Sequence, residues 1–240
     1  MSKLFLVRHG QSIWNSENRF TGWVDVELSK QGESEALKSG DLLKELNINL
    51  DFFYTSYLKR AIITLEIILK QLGLEKQLNT KAWELNERHY GSLTGLNKDE
   101  MKKKLGHELF KKYRRSWDIA PPPQDKDSAN EKLYSPLNKN ISQSLIPSTE
   151  SLQDTFNRVI PYFENEIKPH LLNNKNVVIA AHGNSLRALC KKLLNISNQK
   201  INELEIPTGN PLVIEFDQDL KIKDICYLDK AREKIIITNQ

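Results

Sequence analysis

The 240-residue chain has only two cysteines, and it lacks any uncharged apolar run long enough to cross a membrane. Cys190 and Cys226 are too few for a disulfide framework, and neither lies near a second cysteine or a histidine at the spacing of metal ligands. The first apolar stretch reaches Arg8 before the core of a signal peptide could form. We therefore expect a reducing, cytoplasmic protein with no metal and no membrane partner.

Charge is nearly balanced, with 35 basic and 31 acidic residues, but its distribution is uneven. Between Asn97 and Trp117 eight lysines and arginines stand against three acids, so this segment carries +5 and leaves −1 for the rest. Its lysines are typical of a solvated helix face, whereas the adjacent Arg114 and Arg115 have the planar fork that binds phosphate or carboxylate. The stretch is short and lacks interleaved aromatic residues, so we expect no nucleic-acid partner.

Strands and helices alternate in the hydrophobic pattern. Compact apolar runs predict strands at 3–7, 51–55, 78–85, 177–181, 212–216 and 225–228. Helical periodicity and capping residues predict helices at 29–46, 58–72, 97–106, 152–167 with a kink at Pro161, and from Ser185 onward. This alternation predicts an α/β fold with a mostly parallel central sheet flanked by helices on both faces. We expect one domain over residues 1–240, with a basic, lid-like excursion at 97–147 and a tail at 229–240.

Two histidines, His9 and His182, each follow a predicted strand directly and precede a glycine. Ligands of such sheets bind beyond the carboxyl ends of the strands, so both side chains are expected in one crevice. Arg8 lies beside His9, and Gly10 would relieve crowding and let backbone donors face a ligand. Because guanidinium groups disfavour the imidazolium and attract phosphate, His9 suits attack on phosphorus.

The segment Leu6-Val7-Arg8-His9-Gly10-Gln11-Ser12 resembles the signature of the histidine phosphatase superfamily. Further segments match in order at 14–15, 17–23, 54–56, 58–61, 85–91, 95–98, 114–115, 149–152, 180–185 and 206–209. Together they resemble the cofactor-dependent phosphoglycerate mutases over nearly the whole chain, to about Leu228. The first motif alone indicates only the superfamily, whereas the ordered set is specific to this family.

The resemblance implies a role for each matching residue. His9 would be the nucleophile that becomes phosphohistidine, and Glu87 would donate and accept the proton of the substrate hydroxyl. Arg8, Arg60 and His182 would surround the transferring phosphoryl group, taking the part that a magnesium ion takes in kinases. The remaining ligand contacts would come from Ser12, Asn15, Thr21, Gly22, Tyr90, Lys98, Arg114, Arg115, Gly183 and Asn184.

These roles imply interconversion of 3-phosphoglycerate and 2-phosphoglycerate in glycolysis and gluconeogenesis. The phosphohistidine would be primed by 2,3-bisphosphoglycerate, no metal would be needed, and the chain would form a homodimer or homotetramer. A phosphatase or a bisphosphoglycerate synthase of the same fold is an alternative, although synthases tend to have glycine in place of Ser12. A catalytically inactive anion- or RNA-binding protein is another, but binding alone does not require a nucleophile.

The chain departs from the family pattern at three places. Gln11 stands where many relatives have glutamate, although an amide can also make the hydrogen bonds. The stretch 128–146 matches poorly. After Leu228 the usual glycine and the small-residue, lysine-containing tail are replaced by Asp229-Lys230-Ala231-Arg232-Glu233-Lys234 and three isoleucines. We therefore expect the tail to contribute less to closure of the site than Arg114 and Arg115.

Overall fold

The computed structural model describes residues 1–125 and 141–238. Six strands of the described chain form one sheet: β1 Ser2–Arg8, β2 Phe52–Thr55, β3 Thr80–Lys81, β4 Val177–Ala181, β5 Leu212–Phe216 and β6 Ile222–Tyr227. Their order across the sheet is β3-β2-β4-β1-β5-β6. The four strands β3, β2, β4 and β1 pair in parallel with one another in that order. Strand β5 pairs antiparallel with both β1 and β6. The mostly parallel sheet predicted from the sequence is confirmed.

The helices of the described chain are α1 Ile13–Ser16, α2 Lys30–Glu45, α3 Lys59–Gln71, α4 Lys98–Leu105, α5 His107–Arg115, α6 Leu152–Tyr162, α7 Lys168–Leu172 and α8 Gly183–Leu193. A π-helical turn at Phe163–Ile167 joins α6 to α7. Short 3₁₀ turns occur at Trp83–Leu85, Gly91–Leu93, Gln143–Leu145, Lys200–Glu203 and Lys230–Arg232. No helix in the described ranges is both long and apolar enough to span a bilayer.

The central strand β1 is buried on both faces because its side chains alternate between two cores. Leu4 and Leu6 pack in the core beneath α6 and α8, whereas Phe5 and Val7 pack against α2 and α3. Helices therefore cover both faces, as predicted. The carboxyl ends of β1 and β4 lie side by side, with Arg8 in register with Ala181.

The boundaries differ from the predictions where polar groups compete for the backbone. The strand predicted at 78–85 is only Thr80–Lys81, since the chain then turns into 3₁₀ helix. α8 begins two residues before Ser185, because the Ser185 hydroxyl accepts a hydrogen bond from the amide of His182 and so acts within the first turn. The proline within α6 is tolerated, and a π turn follows it.

The part of the excursion at 97–125 contains two α-helices separated by Gly106, which adopts φ +77°. Asn97 caps α4 as predicted, with its Oδ1 accepting from the amides of Asp99 and Glu100. Most of the poorly matching stretch 128–146 and the last two residues of the tail lie outside the described residues.

Candidate active site

A cavity of about 650 Å³ opens beyond the carboxyl ends of β1 and β4. Its basic lining residues are Arg8, Arg19, Arg60, Lys98, Arg114, Arg115, Arg187, Arg232 and Lys234, and its acidic ones are Glu35, Glu87, Glu205 and Glu233. Nine cations against four carboxylates make the cavity a site for a multiply charged anion.

His9 lies at the floor of this cavity and is 3% exposed. Its Nδ1 is 2.7 Å from the carbonyl oxygen of Gly10, which can only accept, so Nδ1 carries the ring proton. The Nε2 atom keeps its lone pair and accepts from Arg60 Nε at 3.3 Å. Burial, together with the charges of Arg60 and Arg8, holds the pKa of His9 well below its usual range. The imidazole is therefore neutral and can act as a nucleophile at neutral pH.

Arg60 is 1% exposed and is fixed in three directions. Besides donating to His9, it donates to the carbonyl oxygens of Val24 at 2.9 Å and Gly22 at 2.7 Å. Burial lowers its pKa to about 10, and the negative charge of Glu87 opposes this shift. Arg60 remains a cation at neutral pH, with its position set before any ligand binds.

The His182 ring lies beside that of His9, with ring centroids 4.9 Å apart, but His182 is fully buried and is not among the described residues that line the cavity. Its Nε2 is hydrogen-bonded to Ser56 Oγ at 2.7 Å. Burial, then the charge of Arg60, holds the pKa of His182 well below its usual range. His182 is therefore a neutral hydrogen-bonding group beside His9.

Glu87 connects the loop after the 3₁₀ turn at 83–85 to the start of α8. Its Oε1 accepts from the amides of Arg88 at 2.8 Å and Asn184 at 3.1 Å. Its Oε2 points toward Gly183 and lies 3.7 Å from the position that a Cβ there would take. One carboxylate oxygen is therefore fixed by two backbone amides.

The outer half of the cavity contains Tyr90, Lys98 and Arg114. Asn184 Nδ2 donates to the Tyr90 hydroxyl at 3.1 Å. Burial alone would raise the pKa of Tyr90, but the surrounding cations lower it below its ordinary value. Burial also lowers the pKa of both Lys98 and Arg114, which therefore lie partly desolvated, as anion-binding cations do. Arg115 differs, because it pairs with Glu205 at 2.8 Å on the cavity rim.

Three buried donors of residues that line the cavity have no hydrogen-bond partner within the described residues. They are Arg8 Nε, the hydroxyl of Thr21 and Arg187 Nε. Arg8 Nη1 donates to the Ile206 carbonyl at 2.9 Å. The Arg8 side chain is therefore anchored, while its Nε has no partner among the described residues. An oxyanion in the cavity would satisfy such donors.

Two residues of the first motif, Gly10 and Ser12, are not among the described residues that line the cavity. Gly10 is pressed against α2, where a Cβ would lie 2.1 Å from the carbonyl oxygen of Gly32, and its amide donates to Thr64 Oγ1. Gly10 thus permits close packing. We had expected its amide to face a ligand, but the amide is bonded to Thr64 instead. Ser12 caps α1 by accepting from the amide of Asn15. Asn15 lines the cavity and Ser12 does not.

Several lining residues were not among those predicted from the sequence, above all Arg187 and the segment 231–234. Arg187 donates to Asn184 Oδ1 at 2.9 Å, and burial lowers its pKa to about 9. Arg187 follows Asn184 by three residues at the start of a predicted helix, so the two side chains share one helix face. This spacing could have identified Arg187 as a cavity residue. Nothing in the tail's composition indicated that it returns to the cavity. No cluster of three or more potential metal ligands occurs in the described parts of the chain.

Comparison with known proteins agrees with this geometry. The histidine phosphatase superfamily (branch 1) matches residues 4–224. A 2,3-bisphosphoglycerate-dependent phosphoglycerate mutase of Pelagibacter ubique is 53% identical over 99% of both chains. One of Nautilia profundicola is 49% identical over 95% of this chain and 100% of the relative.

Solved structures share the fold at lower identity. A mycobacterial glucosyl-3-phosphoglycerate phosphatase has a TM-score of 0.71 at 21% identity, covering 94% of this chain and 96% of that one. Bacillus stearothermophilus YhfR has a TM-score of 0.68 at 22% identity, covering 92% and 94%. With its full-length relatives near half identity, the chain belongs to the histidine phosphatase superfamily and, within it, to the 2,3-bisphosphoglycerate-dependent phosphoglycerate mutases.

Proposed function

We propose that the chain interconverts 3-phosphoglycerate and 2-phosphoglycerate through a phosphohistidine at His9. The observation that carries the proposal is a buried, neutral imidazole whose Nε2 faces Arg60 in a strongly cationic cavity. The full-length likeness to phosphoglycerate mutases supports it. The reaction is an intramolecular phosphoryl transfer in outcome, and it belongs to glycolysis and gluconeogenesis.

In this mechanism His9 Nε2 attacks phosphorus while the ring proton stays on Nδ1, which donates a hydrogen bond to the Gly10 carbonyl oxygen. Arg60 and Arg8 neutralise the charge on the equatorial oxygens, and His182, whose ring lies beside that of His9, completes the group around the phosphoryl oxygens. All of these groups except Arg8 are at least 97% buried, so little reorganisation is needed as the charge moves. The chain thus supplies electrostatic stabilisation that has already been set by folding.

Glu87 transfers the proton of the substrate hydroxyl in both directions. Its Oε1 is occupied by two backbone amides, so proton exchange falls to Oε2. When a phosphoryl group leaves a hydroxyl for His9, Oε2 supplies a proton to the departing oxygen. When the other hydroxyl attacks the phosphohistidine, the same oxygen takes that proton.

The priming cofactor, 2,3-bisphosphoglycerate, would supply the phosphoryl group that readies His9. The residues present fit such a group, because Arg8 Nε and the Thr21 hydroxyl are unpartnered among the described residues, and Lys98 and Arg114 add charge at the far end. We propose that Asn15, Gly22, Tyr90, Gly183 and Asn184 complete the contacts. The excursion 97–147 would serve as a lid, with Arg115 on its rim.

A direct assay tests the function. The protein is incubated with 3-phosphoglycerate and a trace of 2,3-bisphosphoglycerate, and 2-phosphoglycerate and free phosphate are both followed. A mutase forms 2-phosphoglycerate far faster than phosphate, and a parallel sample with excess EDTA should keep its activity. Phosphate as the main product would make the chain a phosphatase, and loss of activity that manganese restores would refute the metal-free mechanism. Mass measurement in solution tests the proposed homodimer or homotetramer.

A further inference from the structure

A buried ion pair contacts the loop that carries Glu87. Arg158 of α6 and Glu150, just before that helix, are 8% and 4% exposed at their side chains. Their contact joins Nε and Oε1 at 2.7 Å, and a second joins an Nη atom to Oε2 at 3.0 Å. Neither residue is among the described residues that line the cavity.

Every donor of Arg158 is used. The three N–H groups not directed at Glu150 donate to the carbonyl oxygens of Glu84, Asn86 and Glu87, the last two at 3.0 Å. A guanidinium has five N–H groups in a rigid plane, so these five bonds define the position of the loop relative to α6. The side chain thus holds the backbone carbonyl of Glu87 itself.

Glu150 holds the same loop from its other end. Its Oε2 accepts from the amide of His89 at 2.7 Å, and its own amide donates to the His89 carbonyl. The pair therefore grips the chain on both sides of Glu87, from residue 84 to residue 89. The Glu87 carboxylate, aimed from this segment, reaches the amide of Asn184 on α8.

We propose that Arg158, seated by Glu150, is the positioning residue that places the Glu87 carboxylate for proton transfer. The inference rests on the proposed role of Glu87. A lysine in place of Arg158 would keep the charge but could not hold three carbonyls and a carboxylate in one plane. Small displacements of a catalytic group are costly, because a shift of about 1 Å can lower a rate on the order of a hundredfold.

A purely structural role is the competing interpretation, because breaking a buried ion pair also destabilises a fold. The two differ in where the loss falls. Loss of stability lowers the fraction of active enzyme and acts equally whatever residue stands at position 87. Loss of positioning acts only while the Glu87 carboxylate is there to be misplaced.

The test is a double-mutant cycle on the full chain, with Arg158→Lys, Glu87→Gln and the double variant. Mutase kcat and the KM for 3-phosphoglycerate are measured at saturating 2,3-bisphosphoglycerate, with active enzyme counted by phosphohistidine formation. We expect Arg158→Lys to lower kcat about ten- to a hundredfold with KM nearly unchanged, and to have less than about a threefold effect beside Glu87→Gln. An equal factor in both backgrounds would overturn the proposal.

Val159→Ala is the matched control, because Val159 is the next residue of α6 and is fully buried in the core. It should lower the thermal midpoint and leave kcat unchanged; a loss of kcat like that of Arg158→Lys would overturn the proposal. If Arg158→Lys does not fold, Glu150→Gln, which loses one acceptor, enters the same cycle with the same criteria. A wild-type rate for Glu87→Gln alone would refute the role of Glu87 and, separately from any result with Arg158, remove the basis of the inference.

Discussion

The two halves of the cavity are built in different ways. The inner half, with His9, Arg60 and His182, lies at the ends of central strands and on helices that pack on the sheet, and these side chains are at most 3% exposed. The outer half, with Lys98 and Arg114, lies on α4 and α5, whose packing depends on a small apolar cluster of Phe20, Leu93, Met101 and Phe110. The sheet fixes the first half, and a local cluster fixes the second.

Arg88 connects the outer half to the inner one. It is fully buried, donates to the carbonyl oxygens of Tyr113 and Arg114 at the end of α5, and lies over the ring of Tyr90 at 4.7 Å. Thus α5 is attached at its carboxyl end to the loop that carries Glu87. The difference between the halves suggests a division of labour in which the inner half performs the chemistry and the outer half holds the ligand and excludes water.

The largest effect is expected from His9→Ala. Without the Nε2 lone pair no phosphohistidine can form, so both turnover and acid-labile labelling from 2,3-bisphosphoglycerate should be abolished. Labelling is measured by mass spectrometry before and after acid treatment. A label retained on the variant would place the nucleophile elsewhere and would break the proposed division between the halves.

Glu87→Gln should have the next largest effect. The amide keeps the shape of the side chain and can still accept from the amides of Arg88 and Asn184, but it cannot exchange a proton. We expect kcat to fall about a hundredfold or more, the scale of general acid–base catalysis, while KM stays nearly constant. Steady-state kinetics check this, and an unchanged kcat would return Glu87 to a purely structural role.

The buried histidines predict how stability depends on pH. Burial holds the pKa of His9 and His182 well below its ordinary value and lowers that of His89 to about 4. The unfolded chain binds protons at these residues near pH 6.5 and the folded chain does not, so stability should fall as pH falls below that value. Each histidine contributes about 1.4 kcal/mol per pH unit well below pH 6.5. Burial raises the pKa of Asp25 and Glu84, an effect of opposite sign in the carboxyl range.

Urea unfolding between pH 7.5 and 5 measures this dependence above the carboxyl range. His89→Gln, which removes one of the three groups, should flatten the slope by about one proton. A slope of zero in the wild type would mean that the inner half opens to solvent in the folded state.

The inner half was predictable from sequence because strand ends are local features. Compact apolar runs directly precede His9 and His182, and parallel strands bring such ends together whatever the distance along the chain. Helix α2, capped by Ser29, and helix α3, followed by Gly73, were predicted for the same reason. In each case the residue that marks the helix end lies within one turn of it. The resemblance then added Glu87, which no periodicity singles out.

Non-local contacts were not predictable in this way. Nothing near Arg187 or Arg158 indicates which carbonyls they will meet, because those partners are set by packing between distant segments. The return of Arg232 to the cavity depends on Asp229, which also binds Lys38 and has its pKa lowered to about 2 by these partners. Such a network forms only once the fold has brought α2 beside the tail.

In the outer half, Arg114→Ala should raise the KM for 3-phosphoglycerate about tenfold, the value of one charge-assisted hydrogen bond. Arg114 has no ion-pair partner among residues 1–125 and 141–238, so its charge is available to the ligand. Arg115→Ala is the matched control and should raise KM less, because Arg115 is already paired with Glu205. The double variant should also depend more on added 2,3-bisphosphoglycerate. If the two single changes raised KM equally, Arg115 would also bind the ligand despite its ion pair with Glu205.

The smallest effect is expected from removing the tail after Leu228. Arg232 makes three hydrogen bonds within the protein, to the carboxylate of Asp229 and to the carbonyl oxygens of Thr208 and Gly209. It therefore supports the cavity wall and does not hold the ligand through those bonds. Truncation should admit water to the phosphohistidine and raise the ratio of phosphate release to mutase turnover, but by less than the Arg114 and Arg115 double change. Following both products for both variants decides the order, and a truncated chain that became mainly a phosphatase would transfer the closing role from the excursion to the tail.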